Sequence, residues 1–140
     1  MFKLRILTVG KTKEDWLEMA LAEYLKRLQH TASIEFIFAK NNEHLEELAR
    51  KEGAVICLDS TGQVMTSEKF SSFLVRQLET HGSRLTFIIG GAEGLPLNLK
   101  LNSPLLSFSS MTFTHQIIRL ILVEQIYRGL EIEKGSRYHK

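Results

Sequence analysis

Two hydrophobic periods alternate along the chain. Lys3 to Val9 is apolar enough for a strand and ends at Gly10. Glu14 to Gln29 changes to a helical period: Leu17, Leu21, Tyr24 and Leu28 share one stripe, with Glu18, Lys26 and Gln29 away from it. Ser33 to Ala39, rich in isoleucine and phenylalanine, predicts a second strand. Asn41 to Glu52 is polar except for Leu45, Leu48 and Ala49, and predicts a short surface helix closing at Gly53. Ala54 to Leu58 is apolar throughout, as a parallel strand covered on both faces would be. Asp59-Ser60-Thr61-Gly62 predicts a turn. Thr66 or Ser67 then caps a helix that turns Phe70, Phe73, Leu74 and Leu78 inward and stops near Gly82. Leu85 to Ile89 is a fourth buried strand, Pro104 to Phe108 a short fifth, and Thr114 to Leu130 a long last helix before a polar tail, Glu131 to Lys140. This order predicts an α/β fold: a mostly parallel sheet flanked by helices, in one domain over residues 1–140.

Two stretches depart from an ordinary pattern. From Gly94 to Val123 there is no Asp or Glu, and Lys100 and Arg119 are the only full charges. Such a stretch is either a buried connection or a wall for a neutral or cationic ligand with apolar parts. In the last helix, Ile117, Ile118, Leu120, Ile121, Leu122, Val123, Ile126, Tyr127 and Leu130 reach nearly all around the axis. A half-solvated helix does not carry that pattern. One face can cover the sheet, and a second subunit in a two-fold homodimer is the economical cover for the other. Glu124 and Arg128, four residues apart, can pair on the narrow polar strip.

Composition narrows the class. With 44% hydrophobic and 24% charged residues, the chain is neither disordered, nor collagen-like, nor a disulfide scaffold. The longest uninterrupted apolar run, Ala54 to Leu58, is far below a membrane span, and residues 1–10 lack the pattern of a secretory signal. The lone Cys57 cannot form an internal disulfide and reads as a small buried hydrophobe, which suits a reducing cytoplasm. A net charge of +2 is below what proteins that bind nucleic acid by charge alone usually carry, and composition neither demands nor excludes an RNA partner. No Cys or His spacing suggests a metal, and no Ser-His-Asp or nucleophile-elbow pattern suggests hydrolysis. Gly90-Gly91-Ala92-Glu93-Gly94 follows a strand, where open α/β sheets bind ligands, but it is neither a dinucleotide fingerprint nor a phosphate loop. Arg137, Tyr138, His139 and Lys140 gather donors, a ring and a titratable base at a chain end that is ordinarily frayed.

Five motifs in order carry a resemblance. They are Lys3 to Lys11 with Glu23-Tyr-Leu-Lys-Arg27, Phe87-Ile-Ile-Gly-Gly-Ala-Glu-Gly-Leu95, Leu106-Ser-Phe-Ser-Ser-Met-Thr-Phe-Thr-His-Gln116, Glu124-Gln-Ile-Tyr-Arg128 and Tyr138-His-Lys140. Together they resemble the SPOUT-class methyltransferases that modify N3 of a pseudouridine in bacterial 23S ribosomal RNA. The resemblance implies an α/β fold with a C-terminal trefoil knot, a homodimer acting on the ribosome in the cytoplasm, and S-adenosylmethionine as methyl donor. It implies donor contacts at Leu58, Gly90, Phe108, Ser109, Ser110, Met111, Thr112 and Phe113, and it makes His139, Tyr138 and Arg128 the catalytic candidates. Neither DNA nor a membrane is an expected partner. A SPOUT enzyme for another RNA, or a ribosome-associated RNA-binding protein without transfer, is the rival expectation. Two departures from the family pattern stand out: Thr114 replaces the usual proline before the histidine, and Lys40 to Gly53 is shorter than in many relatives.

Overall fold

The structure is a computed structural model that describes residues 1–139. Five strands form one sheet: β1 (Phe2–Val9), β2 (Ala32–Ala39), β3 (Val55–Val64), β4 (Arg84–Ile89) and β5 (Leu105–Ser107). Their order is β2-β1-β4-β3-β5, and every pairing is parallel. Five helices intervene: α1 (Asp15–Leu28), α2 (Asn42–Arg50), α3 (Ser67–Thr80), α4 (Leu97–Asn102) and α5 (His115–Lys134).

Side chains alternate across the sheet and build two cores. Leu4 and Ile6 of β1, Ile56 and Leu58 of β3, and Leu85, Phe87 and Ile89 of β4 face α1, α3 and α5. Leu7, Cys57 and Ile88 face the opposite way, against Leu45 and Ala49 of α2 and Leu99 of α4. Both faces of the central strands are covered, which explains their unbroken apolar runs. Cys57 is fully buried, and desolvation holds its thiol above the ordinary range. No helix among the described residues is long and apolar enough to cross a membrane.

Several boundaries differ from the sequence expectation, each for a physical reason. The chain does turn at Asp59, whose carboxylate accepts from the Thr61 amide (3.0 Å) and hydroxyl. It then rejoins the sheet: Leu58 and Gln63 both register with Leu106, and Val64 with Ser107, so β3 runs on to Val64 around a bulge. Gly62 makes this possible, because a Cβ there would lie 2.6 Å from the Leu105 carbonyl carbon. Helix α4 was not expected, and β5 is shorter than expected. Helix α5 starts as foreseen: Thr114 accepts from the Ile117 amide, so threonine caps the helix in place of the usual proline. It runs on to Lys134 and ends on Gly135 in the left-handed region, which leaves a tail shorter than the polar sequence suggests. Lys140 lies outside the described residues.

Helix α5 sits between α1 and α3. Leu122, Val123, Ile126 and Leu130 are buried within the chain, and Ser71 of α3 donates to the Gly129 carbonyl at 2.6 Å. Ile117 is exposed and Ile121 half-buried on the remaining side.

Candidate active site

A cavity of about 760 Å³ opens at the carboxyl edge of the sheet. Leu58 at the β3 bulge, Ile89 at the end of β4 and Leu106 of β5 line it, and each is buried. Gly90, Gly91, Gly94 and Leu95 add the loop after β4. The Gly91 carbonyl accepts from the Gly94 amide at 2.9 Å. Two positions of this turn require glycine: a Cβ on Gly90 would lie 2.5 Å from the Gly94 carbonyl carbon, and Gly94 itself has φ +85°.

The segment after β5 forms the next part of the wall, with Phe108, Ser109, Met111, Thr112 and Phe113. Its serines shape it from within. Ser107 Oγ donates to the Ser109 carbonyl at 2.7 Å, and Ser109 Oγ accepts from the Met111 amide at 3.0 Å. These bonds hold the loop's shape. Phe108 anchors the segment, edge-on to Phe70 at 6.2 Å. Of the eight expected donor contacts, the structure brings Leu58, Gly90, Phe108, Ser109, Met111, Thr112 and Phe113 to one cavity. Ser110 is exposed and does not line it.

Sequence reasoning did not single out the cavity's Lys13, Glu14, Trp16 and Leu17, which come from the loop and first turn between β1 and α1; His115 to Ile118, at the start of α5, belong to the acid-free stretch read above as either a buried connection or a ligand wall. Asp59 also lines it, with Lys100 Nζ at 3.8 Å. Burial pushes the Asp59 carboxyl up, but the bonds from Thr61 and the charge of Lys100 outweigh this and hold it below its ordinary value. Burial, with the nearby Arg119 and Lys13 charges, pulls the His115 imidazole below its ordinary value.

Arg119 was the other omission. It is fully buried, and among the described residues its hydrogen-bond partners include no carboxylate. Its guanidinium donates to the carbonyls of Val9 (3.0 Å), Gly10 (2.8 Å) and His115 (3.3 Å) and to Thr12 Oγ1 (3.0 Å). Burial lowers it to about 10, so it stays charged at neutral pH. The only sequence signal was an isolated cation in an acid-free stretch.

The three expected catalytic residues do meet, at the other end of α5. Arg128 Nη2 donates to Glu124 Oε2 at 2.8 Å, and Arg128 Nη1 lies 3.0 Å from His139 Nδ1. Arginine can only donate, so Nδ1 accepts and the neutral ring carries its proton on Nε2, 3.4 Å from Glu68 Oε2. Tyr138 stacks under the guanidinium (4.8 Å to the ring centroid) and gives its hydroxyl to Glu124 at 2.7 Å. Burial and the bond to Glu124 raise that phenol, so it remains a donor. None of Arg128, Tyr138 and His139 lines the cavity. Thirteen residues separate His115 from Arg128, about 20 Å along a helix.

Comparison with known proteins identifies the family. Residues 2–139 match the family model described as "Predicted SPOUT methyltransferase". A protein of Protochlamydia amoebophila (strain UWE25) named Ribosomal RNA large subunit methyltransferase H is 59% identical over 140 residues, covering 100% of both chains. A protein of Halothermothrix orenii with the same name is 42% identical, covering 99% of each. Among solved structures, a probable methylase family protein from Haemophilus influenzae Rd KW20 superposes with a TM-score of 0.52 at 10% identity. That match covers 94% of this chain and 66% of the other, and it bears on the fold alone. A parallel α/β sheet, a glycine-bounded cavity at its carboxyl edge and a full-length family match lead to one conclusion: the chain belongs to the SPOUT methyltransferase family.

Proposed function

We infer that this chain is a homodimeric methyltransferase that modifies N3 of a pseudouridine in 23S ribosomal RNA, on the ribosome and in the cytoplasm, with S-adenosylmethionine as donor. The observation that carries the reading is the cavity: seven of the eight donor contacts implied by the family line one space at the sheet edge. Its chemistry fits the donor. Strand-end leucines offer an apolar surface to adenine, and the tight glycine turn keeps side chains clear of the backbone groups that bind polar edges. When bound, S-adenosylmethionine supplies an electrophilic methyl group. The Leu58, Gly90 and Phe108 to Phe113 elements hold it, and a trefoil knot in this region would keep those loops preorganised.

The protein's remaining task is to orient N3 in line and remove its proton. Arg128 stabilises negative charge on the uracil ring, Tyr138 stacks on or donates to the base, and His139 accepts or steers the N3 proton. Within one chain these groups are turned toward Glu124 and Glu68, away from the cavity. Pairing of two copies resolves the separation. A two-fold axis crossing α5 near the half-buried Ile121 sets the helices antiparallel and Arg128 of one copy opposite Thr114 of the other. Each tail then closes the cavity of its partner, and two subunits together supply the footprint that a charge of +2 does not.

The test is transfer of labelled methyl from S-adenosylmethionine to ribosomes from cells lacking their own copy of the enzyme, followed by digestion of the rRNA. Label on pseudouridine at N3 is expected. Donor binding without transfer would instead mark a ribosome-associated binding protein, and label on tRNA a different RNA specificity.

A further inference from the structure

Residues 10–14 join β1 to α1 with little structure of their own, and Gly10 is in the left-handed region at φ +77°. The first turn of α5 holds them. Gln116 Oε1 accepts from the Lys13 amide at 3.1 Å, and Gln116 Nε2 donates to the Lys11 carbonyl at 3.1 Å. Arg119 binds Val9, Gly10 and Thr12 from below, with Phe38 5.6 Å from its guanidinium carbon. Residues 9 to 13 are therefore each bonded to one of two side chains more than 100 positions away. The planar guanidinium spreads its donors over three nitrogens in a fixed fork, whereas a lysine carries all of its donors on one nitrogen.

This loop leads straight into Lys13, Trp16 and Leu17 of the cavity. Leu17 is buried at their foot, Lys13 is exposed, and Trp16 is 56% exposed. The donor half, on the reading above, is built from Leu58, Gly90 and the segment after β5. The β1–α1 side is thus left for the methyl acceptor. An exposed indole beside an ammonium suits a nucleotide: one stacks on a base and the other neutralises a phosphate.

We propose that Gln116 and Arg119 are positioning residues for the RNA acceptor, latching the β1–α1 loop to α5 so that Trp16 and Lys13 face the incoming nucleotide. The proposal rests on the rRNA-methyltransferase reading. Three variants test it in the full chain: Gln116→Ala, Arg119→Lys and Trp16→Ala. Gln116 is partly exposed, so its loss leaves the core intact. Releasing the loop increases tryptic cleavage after Lys11 and Lys13, by about tenfold if the two Gln116 bonds are worth a typical pair. The KM for ribosomal RNA rises by roughly fivefold to tenfold in Gln116→Ala and Trp16→Ala, while the Kd for S-adenosylmethionine stays within about twofold. Gln116→Glu keeps an acceptor for the Lys13 amide and restores part of the KM. Unchanged cleavage and unchanged RNA KM in both Gln116→Ala and Arg119→Lys would overturn the proposal. So would a weakened donor Kd with a constant RNA KM, which would put this wall on the donor side. If the wild-type chain transfers no methyl group to rRNA, the functional reading fails, and cleavage after Lys11 and Lys13 still decides the latch.

Discussion

Helix α5 carries two arginines nine positions apart, in opposite circumstances. Arg119 is fully buried among neutral oxygens of the β1 end. Arg128 is a quarter exposed and sits in a ring of ionisable or aromatic partners, with Glu124, Tyr138 and His139. A buried charge that serves backbone carbonyls is costly to disturb, because each carbonyl loses a donor with no water to replace it. A partly exposed ion pair exchanges partners at little cost. One end of the helix is thus built to stay fixed, while the other can exchange its partners.

Substitution at the two sites should separate these roles. The largest expected effect is on catalysis: Arg128→Ala reduces methyl transfer on the order of 10²-fold or more, while thermal denaturation shows a midpoint within a few degrees of wild type. A large loss of stability instead would place Arg128 with Arg119 as a structural group. Arg119→Ala should show the reverse emphasis. Leaving buried acceptors unpaired costs about 2–4 kcal/mol, which lowers the melting midpoint of a chain this size by about 10 °C. A midpoint unchanged by Arg119→Ala would contradict the fixed-end picture.

The two ends also differed in how much of them the sequence revealed. The tail is ordinary polar chain end until the family resemblance marks Tyr138, His139 and Arg128 as candidates, and the structure brings these three together. Arg119 offered no such cue, since its acceptors are main-chain carbonyls and a threonine about 110 positions away. Strands β1 to β4 were legible because apolar runs between helical periods leave few alternatives. Helix α4 was not: Leu97, Leu99 and Leu101 alternate as in a strand, yet only Leu99 is buried. The extension of β3 was hidden because Asp59 to Gly62 is good turn chemistry, and only the distant β5 edge draws the chain back into the sheet.

Smaller effects sharpen the contrast. Glu124→Gln keeps the shape of the Arg128 ring but removes its anion, so transfer should fall by roughly tenfold with stability changed by less than about 1 kcal/mol. A pH dependence belongs to the fixed end. His115 is harder to protonate in the folded chain than in the unfolded one, so acid favours unfolding: stability contributed here is present above the ordinary histidine value and is lost as pH falls from there through the lower folded-state value. His115→Gln should flatten that slope in denaturation between about pH 7 and pH 5. A slope that persists unchanged would assign it to another group.

On the reading proposed above, a cavity from one chain and a tail from another make one site. Complementation tests it most directly. Gly90→Val fills the turn against the Gly94 backbone and disables the cavity. Truncation after Arg137 removes Tyr138 and His139. Each variant alone should be inactive on ribosomes. Refolded together in equal amounts, half the dimers are mixed and carry one intact site of two, so about a quarter of wild-type transfer should return. No recovery in a mixture shown to contain mixed dimers would contradict the account, as would full activity in the truncated chain alone.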